Sequence, residues 1–144
     1  MAIVIHHNPD CGTSRNVLAV LEAAAEAGGE APEVIRYLET GWTRPQLVAL
    51  FAAADLTPRQ ALRVTKSPAD QLGLTAPDVA AETLLEAMQA HPILVNRPIV
   101  CTRRGVRLCR PSEAVLDLLE VWPAGPFAKE DGSQIIDEAG RRIS

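Results

Sequence analysis

Ile3-Val4-Ile5-His6-His7-Asn8-Pro9-Asp10-Cys11-Gly12-Thr13-Ser14-Arg15-Asn16 runs from an apolar stretch through a turn into a helical pattern. Residues 2–7 read as a first strand. Residues 14–27 read as an amphipathic helix with Val17, Leu18, Val20 and Leu21 on its apolar side and Gly28-Gly29 at its end. Cys11 therefore falls at a strand-to-helix junction. Unpaired N–H groups and the positive end of the helix dipole favour a thiolate over a thiol there, and His7 and Arg15 can add positive charge. A stabilised thiolate is a nucleophile at neutral pH. Residues 33–38 read as a second strand, so the stretch opens a β-α-β unit with parallel strands and Cys11 at the carboxyl end of the first.

The pattern then changes. Thr43-Arg44-Pro45-Gln46 and Thr57-Pro58-Arg59-Gln60 each place a threonine three residues before a glutamine, with a proline in the first turn, the spacing of a capping box. Short helices are predicted from both, and a third over residues 81–90, preceded by a less regular segment at 67–74. From Pro92 the apolar runs shorten to Ile93-Leu94-Val95 and Ile99-Val100-Cys101 around Asn96-Arg97-Pro98. Gly105 turns the chain and Val106-Arg107-Leu108-Cys109 alternates, so residues 99–110 read as an antiparallel hairpin. Ser112 is expected to cap a last helix over 113–122, with Val115, Leu116, Leu118 and Leu119 facing the core. The polar stretch 123–144 is expected as a surface or partly disordered tail.

The order β-α-β, helical insertion, β-β-α predicts an α/β chain of the thioredoxin/glutaredoxin-like class. It is read as a single domain, with the core at about 1–40 and 92–122, the insertion at about 41–91 and the tail at 123–144. At 144 residues and 47% hydrophobic composition, the chain has enough apolar side chains for one core. A net charge of −4 without long like-charge blocks argues against nucleic acid or an anionic membrane as a partner. No leader and no long apolar span are read in it, so a soluble, cytoplasmic protein is expected. Three cysteines, none in C-x-x-C spacing, form neither a disulfide framework nor a zinc knuckle, so no metal is expected.

In thioredoxin-like folds a proline before the third strand is typically cis and faces the N-terminal thiol. By that analogy Pro98 shapes the site and Arg97 lies close to it. The loop Cys11-Gly12-Thr13-Ser14 has serine where dithiol oxidoreductases have their second cysteine. A resolving thiol must then come from another molecule, or from Cys101 or Cys109. These two lie in apolar strand patterns, where cysteine behaves as a small hydrophobe, and are read as structural. Valine at position 17 excludes the cysteine-and-arginine loop of phosphatase type. Arg63, Arg97 and Arg110 could converge on the thiol, and guanidinium forks suit a small tetrahedral oxyanion.

Three motifs, residues 7–16, 91–100 and 107–113, closely resemble the glutaredoxin-coupled arsenate reductases, the ArsC family. The likeness extends to Lys129-Glu130-Asp131-Gly132 and Asp137-Glu138-Ala139-Gly140. The resemblance implies an arsenate reductase in which Cys11 forms a thiolate–arsenate adduct. Glutathione, a co-substrate rather than a bound cofactor, attacks the adduct; glutaredoxin reduces the mixed disulfide and arsenite leaves. It also implies that Arg63, Arg97 and Arg110 hold the oxyanion, that His7 helps depress the thiol pKa, and that Gly12, Thr13 and Ser14 shape the loop. Val64 stands where the family has lysine, leaving that charge missing or supplied by Lys66. Asp10 stands in place of a small neutral residue and is expected to face solvent.

Two other classes compete. A thioredoxin-fold regulator of the Spx type, which binds RNA polymerase, commonly carries C-x-x-C, and Ser14 argues against it. A glutathione-dependent reductase or transferase of another electrophile would use the same Cys11 with a different pocket; three arginines favour an oxyanion.

Overall fold

The computed structural model describes residues 2–143, which divide into two compact units, one up to Arg36 and from Arg97 onward, the other Tyr37–Asn96. In the first unit, β1 (Ile3–His7) leads through α1 (Gly12–Glu26) to β2 (Pro32–Arg36), and β3 (Ile99–Thr102) returns through β4 (Gly105–Leu108). The sheet order is β2-β1-β3-β4, with β1 and β2 parallel and the other pairs antiparallel. This is the thioredoxin-like α/β arrangement.

Helix α1 buries Val17, Val20, Leu21 and Ala24, the spacing of one helical face. They meet Ile5 and Val100 from the sheet and Val115, Leu116, Leu118 and Leu119 from the last helical segment. Each valine, leucine and isoleucine among them contributes about 1.5–3 kcal/mol when fully buried. The helix ends where Gly28, at φ 111°, turns the chain and Gly29 donates back to the Ala24 carbonyl at 2.9 Å. A Cβ at Gly29 would lie 2.9 Å from that carbonyl oxygen, which requires glycine at that close approach.

Two expectations for this unit are corrected. Residues 113–122 do not form a capped α-helix: a 3₁₀ segment, Ser112–Leu118, takes their place, and no side chain caps it. Residues three apart eclipse in a 3₁₀ helix, which brings Ser112, Val115 and Leu118 onto one buried row, while the Ser112 hydroxyl donates to the Thr13 carbonyl at 3.5 Å. Nor are residues 123–143 a loose tail; Ser144, the last residue of that expectation, lies outside the described residues. Strands β5 (Phe127–Ala128) and β6 (Gln134–Ile136) form a hairpin that inserts Ile135 and Ile136 into the core. Its turn is built by Asp131, whose carboxylate accepts from the Ser133 N–H at 2.9 Å, and by Gly132 at φ 88°.

The second unit contains α2 (Tyr37–Thr40), α3 (Arg44–Ala53) and α4 (Ala81–Ala90), followed by a 3₁₀ turn at Pro92–Leu94. The second strand thus stops at Arg36 rather than 38. Both hydrogen bonds of the Thr43–Gln46 capping box are formed. Thr57 and Gln60 make the same reciprocal bonds, yet no helix follows, which corrects that expectation. The chain is drawn off into a bridge between Leu62 and Val95, with Asn96 N–H donating to the Ala61 carbonyl and Arg63 N–H to the Leu94 carbonyl, each at 2.7 Å. Among the described residues, no helix is long and apolar enough to cross a membrane.

Candidate active site

The turn between β1 and α1 is closed by its own polar groups. Cys11 N–H donates to the Asn8 carbonyl at 3.1 Å, and the Asn8 side-chain oxygen accepts from Asp10 N–H at 2.9 Å. With proline at the second position, this is a turn that local chemistry favours. It leaves Cys11 at the N-cap of α1, extended at φ −107° and ψ 122°, with its carbonyl accepting from Arg15 N–H at 2.9 Å.

Two guanidinium groups reach the Cys11 sulfur. Arg97 Nε donates to it at 3.2 Å, and Arg110 Nη1 lies at 3.7 Å while also donating to the Arg97 carbonyl at 3.1 Å. The peptide bonds Arg97–Pro98 and Arg110–Pro111 are both cis. Burial of Cys11 opposes ionisation. The Ser14 backbone N–H, the charge and hydrogen bond of Arg97 and the hydrogen bond of Arg110 outweigh it, and the thiol titrates below its ordinary value. The Cys11 side chain makes no cap hydrogen bond at the start of α1, so the Ser14 amide acts on the sulfur by proximity, while the two guanidinium groups contact it directly.

Ser14 is fully buried, and its hydroxyl accepts from Asn8 N–H at 3.0 Å and shares a 2.7 Å hydrogen bond with His7 Nδ1. The serine in the second cysteine's place thus ties β1, the turn and α1 together. Gly12 and Thr13 are the first helical residues beside the thiol, and a Cβ on Gly12 would meet its neighbours only at ordinary contact distance.

The expectation that His7 lends positive charge to the thiol is corrected, whereas Arg15 and the thiolate do favour each other's charge, though from a distance and without a hydrogen bond to the sulfur. Burial, followed by the nearby charges of Arg36 and Arg15, lowers the His7 pKa, so the imidazole is neutral at pH 7. It orients Ser14 instead. Arg15 directs Nε and Nη2 to the two Glu130 oxygens at 2.8 and 3.0 Å, and Nη1 to the Pro9 carbonyl at 2.9 Å. Neither His7 nor Arg15 donates to the sulfur in the hydrogen-bond network around it.

Arg63 belongs to the second unit, where it is buried and its Nε donates to the Thr65 carbonyl at 2.9 Å. Asp10 is exposed, and so are Val64 and Lys66. Cys109 is fully buried and its thiol is pushed up to about 12 by burial; Cys101 is raised by the same cause. Neither is poised as a thiolate. Sequence reasoning placed Glu130 and Asn8 within matching motifs but gave neither a role. The Asp131-Gly132 pair, set between Phe127-Ala128 and Ile135-Ile136 with two polar residues on either side, is a hairpin signal that brings Glu130 into the first unit; the Asn-Pro pair marks the turn.

Residues 6–118 match the ArsC family. The chain is similar to arsenate reductase ArsI2 of Synechocystis sp., 67% identical over 141 residues and 98% of each chain. It is 47% identical over 141 residues to the arsenate reductase of Escherichia coli, covering 98% of this chain and 97% of that one. An arsenate reductase structure from Vibrio cholerae superposes with a TM-score of 0.75 at 38% identity, covering 83% of this chain and 98% of the other. With the thiol motif and the arginine motif both inside the matched span, which covers most of the chain, the chain belongs to the ArsC family.

Proposed function

We propose that this protein is an arsenate reductase that uses Cys11 as nucleophile and glutathione and glutaredoxin as thiol partners. The observation that carries the reading is the Cys11 sulfur at the start of α1 with Arg97 Nε at 3.2 Å and Arg110 Nη1 at 3.7 Å. Proteins similar along nearly its whole length bear the name arsenate reductase.

The chemistry follows from that arrangement. The Cys11 thiolate attacks arsenic, and one arsenate oxygen leaves as water after protonation, which forms a sulfur–arsenic bond without changing the oxidation state. Arg97 and Arg110 hold the remaining oxygens and stabilise charge as the bond forms. Arg63 is carried in this reading on its match to the family pattern alone. Glutathione then attacks the adduct; forming the disulfide between Cys11 and glutathione oxidises both sulfurs and passes two electrons to arsenic, which departs as arsenite. A glutaredoxin thiolate takes the glutathione and returns Cys11. Ser14 occupies the place of an internal resolving thiol, and Cys101 and Cys109 are held protonated, which supports an external one. Such a cycle needs a reducing compartment, so the reaction is assigned to the cytoplasm.

Mass spectrometry of protein quenched with acid after mixing with arsenate and glutathione tests this. A glutathionyl group on Cys11 that forms only with arsenate present is expected. A disulfide between Cys11 and Cys101 or Cys109 would replace glutathione by an internal thiol.

A further inference from the structure

Arg15 lies four residues after Cys11, and side chains at that spacing share one side of a helix and lean toward its N-terminus. The default direction of its guanidinium is therefore toward the Cys11 end of α1. It is drawn aside instead. Glu130, far away in sequence on the β5–β6 turn, takes Nε and Nη2 in a two-point fork at 2.8 and 3.0 Å, while Nη1 stays on the Pro9 carbonyl at 2.9 Å. Glu130 is itself fixed, because its backbone N–H donates to the Asn16 side-chain oxygen at 2.9 Å and the adjacent Lys129 pairs with Glu113 at 3.1 Å. The guanidinium remains beside the thiol loop: a Cβ on Gly12 would lie 3.6 Å from Arg15 Nη2 and 3.8 Å from a Glu130 oxygen.

We propose that Glu130 is a positioning residue that holds the Arg15 guanidinium against the Pro9 carbonyl and off the Cys11 sulfur, leaving the sulfur to Arg97 and Arg110. This restraint has a chemical use. A third cation on the thiolate would raise its population but lower its nucleophilicity, since nucleophilicity falls as the thiol pKa falls along a series. The groups that act on the sulfur and on Arg15 are few. Arg97 and Arg110 donate to the sulfur; Glu130, Asp10 and the thiolate act on Arg15; His7, which feels Arg15 and Arg36, is neutral. Lys129 and Asp131 flank Glu130 and are engaged by Glu113 and Ser133. The proposal concerns the thiol alone and stands whether or not arsenate is the substrate.

Alkylation of Cys11 by iodoacetamide against pH at low ionic strength, with the site of modification located by mass spectrometry, tests it. In Glu130→Gln the released Arg15 is expected to move the profile to lower pH, with alkylation about two- to fivefold faster on the acidic limb; exposed charges support no larger change. Glu130→Asp, which keeps the carboxylate, is expected to stay closer to the unsubstituted protein than to Glu130→Gln. The deciding comparison adds Arg15→Gln to both. A Glu130→Gln shift less than half as large in that background supports the proposal, because the effect then travels through Arg15. A shift retained by half or more means that Glu130 acts through its own charge, and no shift in Glu130→Gln alone means that Arg15 was never restrained; either overturns it.

Discussion

Replacing Arg97 by alanine removes the buried donor 3.2 Å from the Cys11 sulfur, and replacing Arg110 removes a longer, more exposed one at 3.7 Å. Loss of arsenate kcat/KM is expected in both, about a hundredfold for Arg97→Ala and about tenfold for Arg110→Ala, with the fold unchanged by circular dichroism. The sign of the pH effect follows from the charges. Each guanidinium favours the thiolate, so the rate profile of either variant moves to higher pH. Unchanged kinetics in both would remove the oxyanion role. At this scale the thiol was legible in the sequence because its signal is local: a strand, a turn and a helix start around one cysteine. The parts played by His7 and Arg15 were not. Whether an imidazole is charged depends on burial, and where a long side chain points depends on a partner, here Glu130, that spacing does not reveal.

The C-terminal hairpin is the element whose packing sequence reading understated. Ile136 is fully buried in the core of the first unit, and Ile136→Ala is expected to cost about 2–5 kcal/mol, read as a lower midpoint in urea with an unchanged slope. A change within about 0.5 kcal/mol would return this segment to the surface. Composition hid the hairpin, because Ile135-Ile136 is a short apolar run in a polar stretch and its strands are only two and three residues long. Elements with a periodic face were legible: α1, α4 and the β3–β4 pair lie close to where the pattern puts them. The two capping boxes show the limit of local signals. Thr43 and Thr57 carry the same hydrogen bonds, yet only the first continues as helix, because pairing of Leu62 with Val95 claims the backbone after the second.

For the whole molecule, acid is the condition that exposes the cost of its buried imidazoles. Burial lowers the His6 pKa to about 4 against an ordinary 6.5. The unfolded chain therefore binds the proton first as pH falls. Stability present above pH 6.5 is lost progressively down to about 4, by roughly 3 kcal/mol from this group, with His7 contributing in the same sense. Urea midpoints at pH 7.5 and 4.5 measure the difference, and a loss undiminished in His6→Gln would assign it to His7 and the carboxylates instead. The thioredoxin-like order of elements was legible because strands and helices alternate with distinct periods; placement of residues 123–143 was not, since it depends on contacts with α1 and the 3₁₀ segment. The proposed arsenate reduction through Cys11, glutathione and glutaredoxin is open to direct test. The most direct measurement is NADPH oxidation by purified protein with arsenate, glutathione, glutaredoxin and glutathione reductase, beside the Cys11→Ser variant and a mixture without arsenate. Oxidation that requires both arsenate and Cys11 is the predicted result; a folded protein with no arsenate-dependent oxidation, or equal rates in Cys11→Ser, would contradict it.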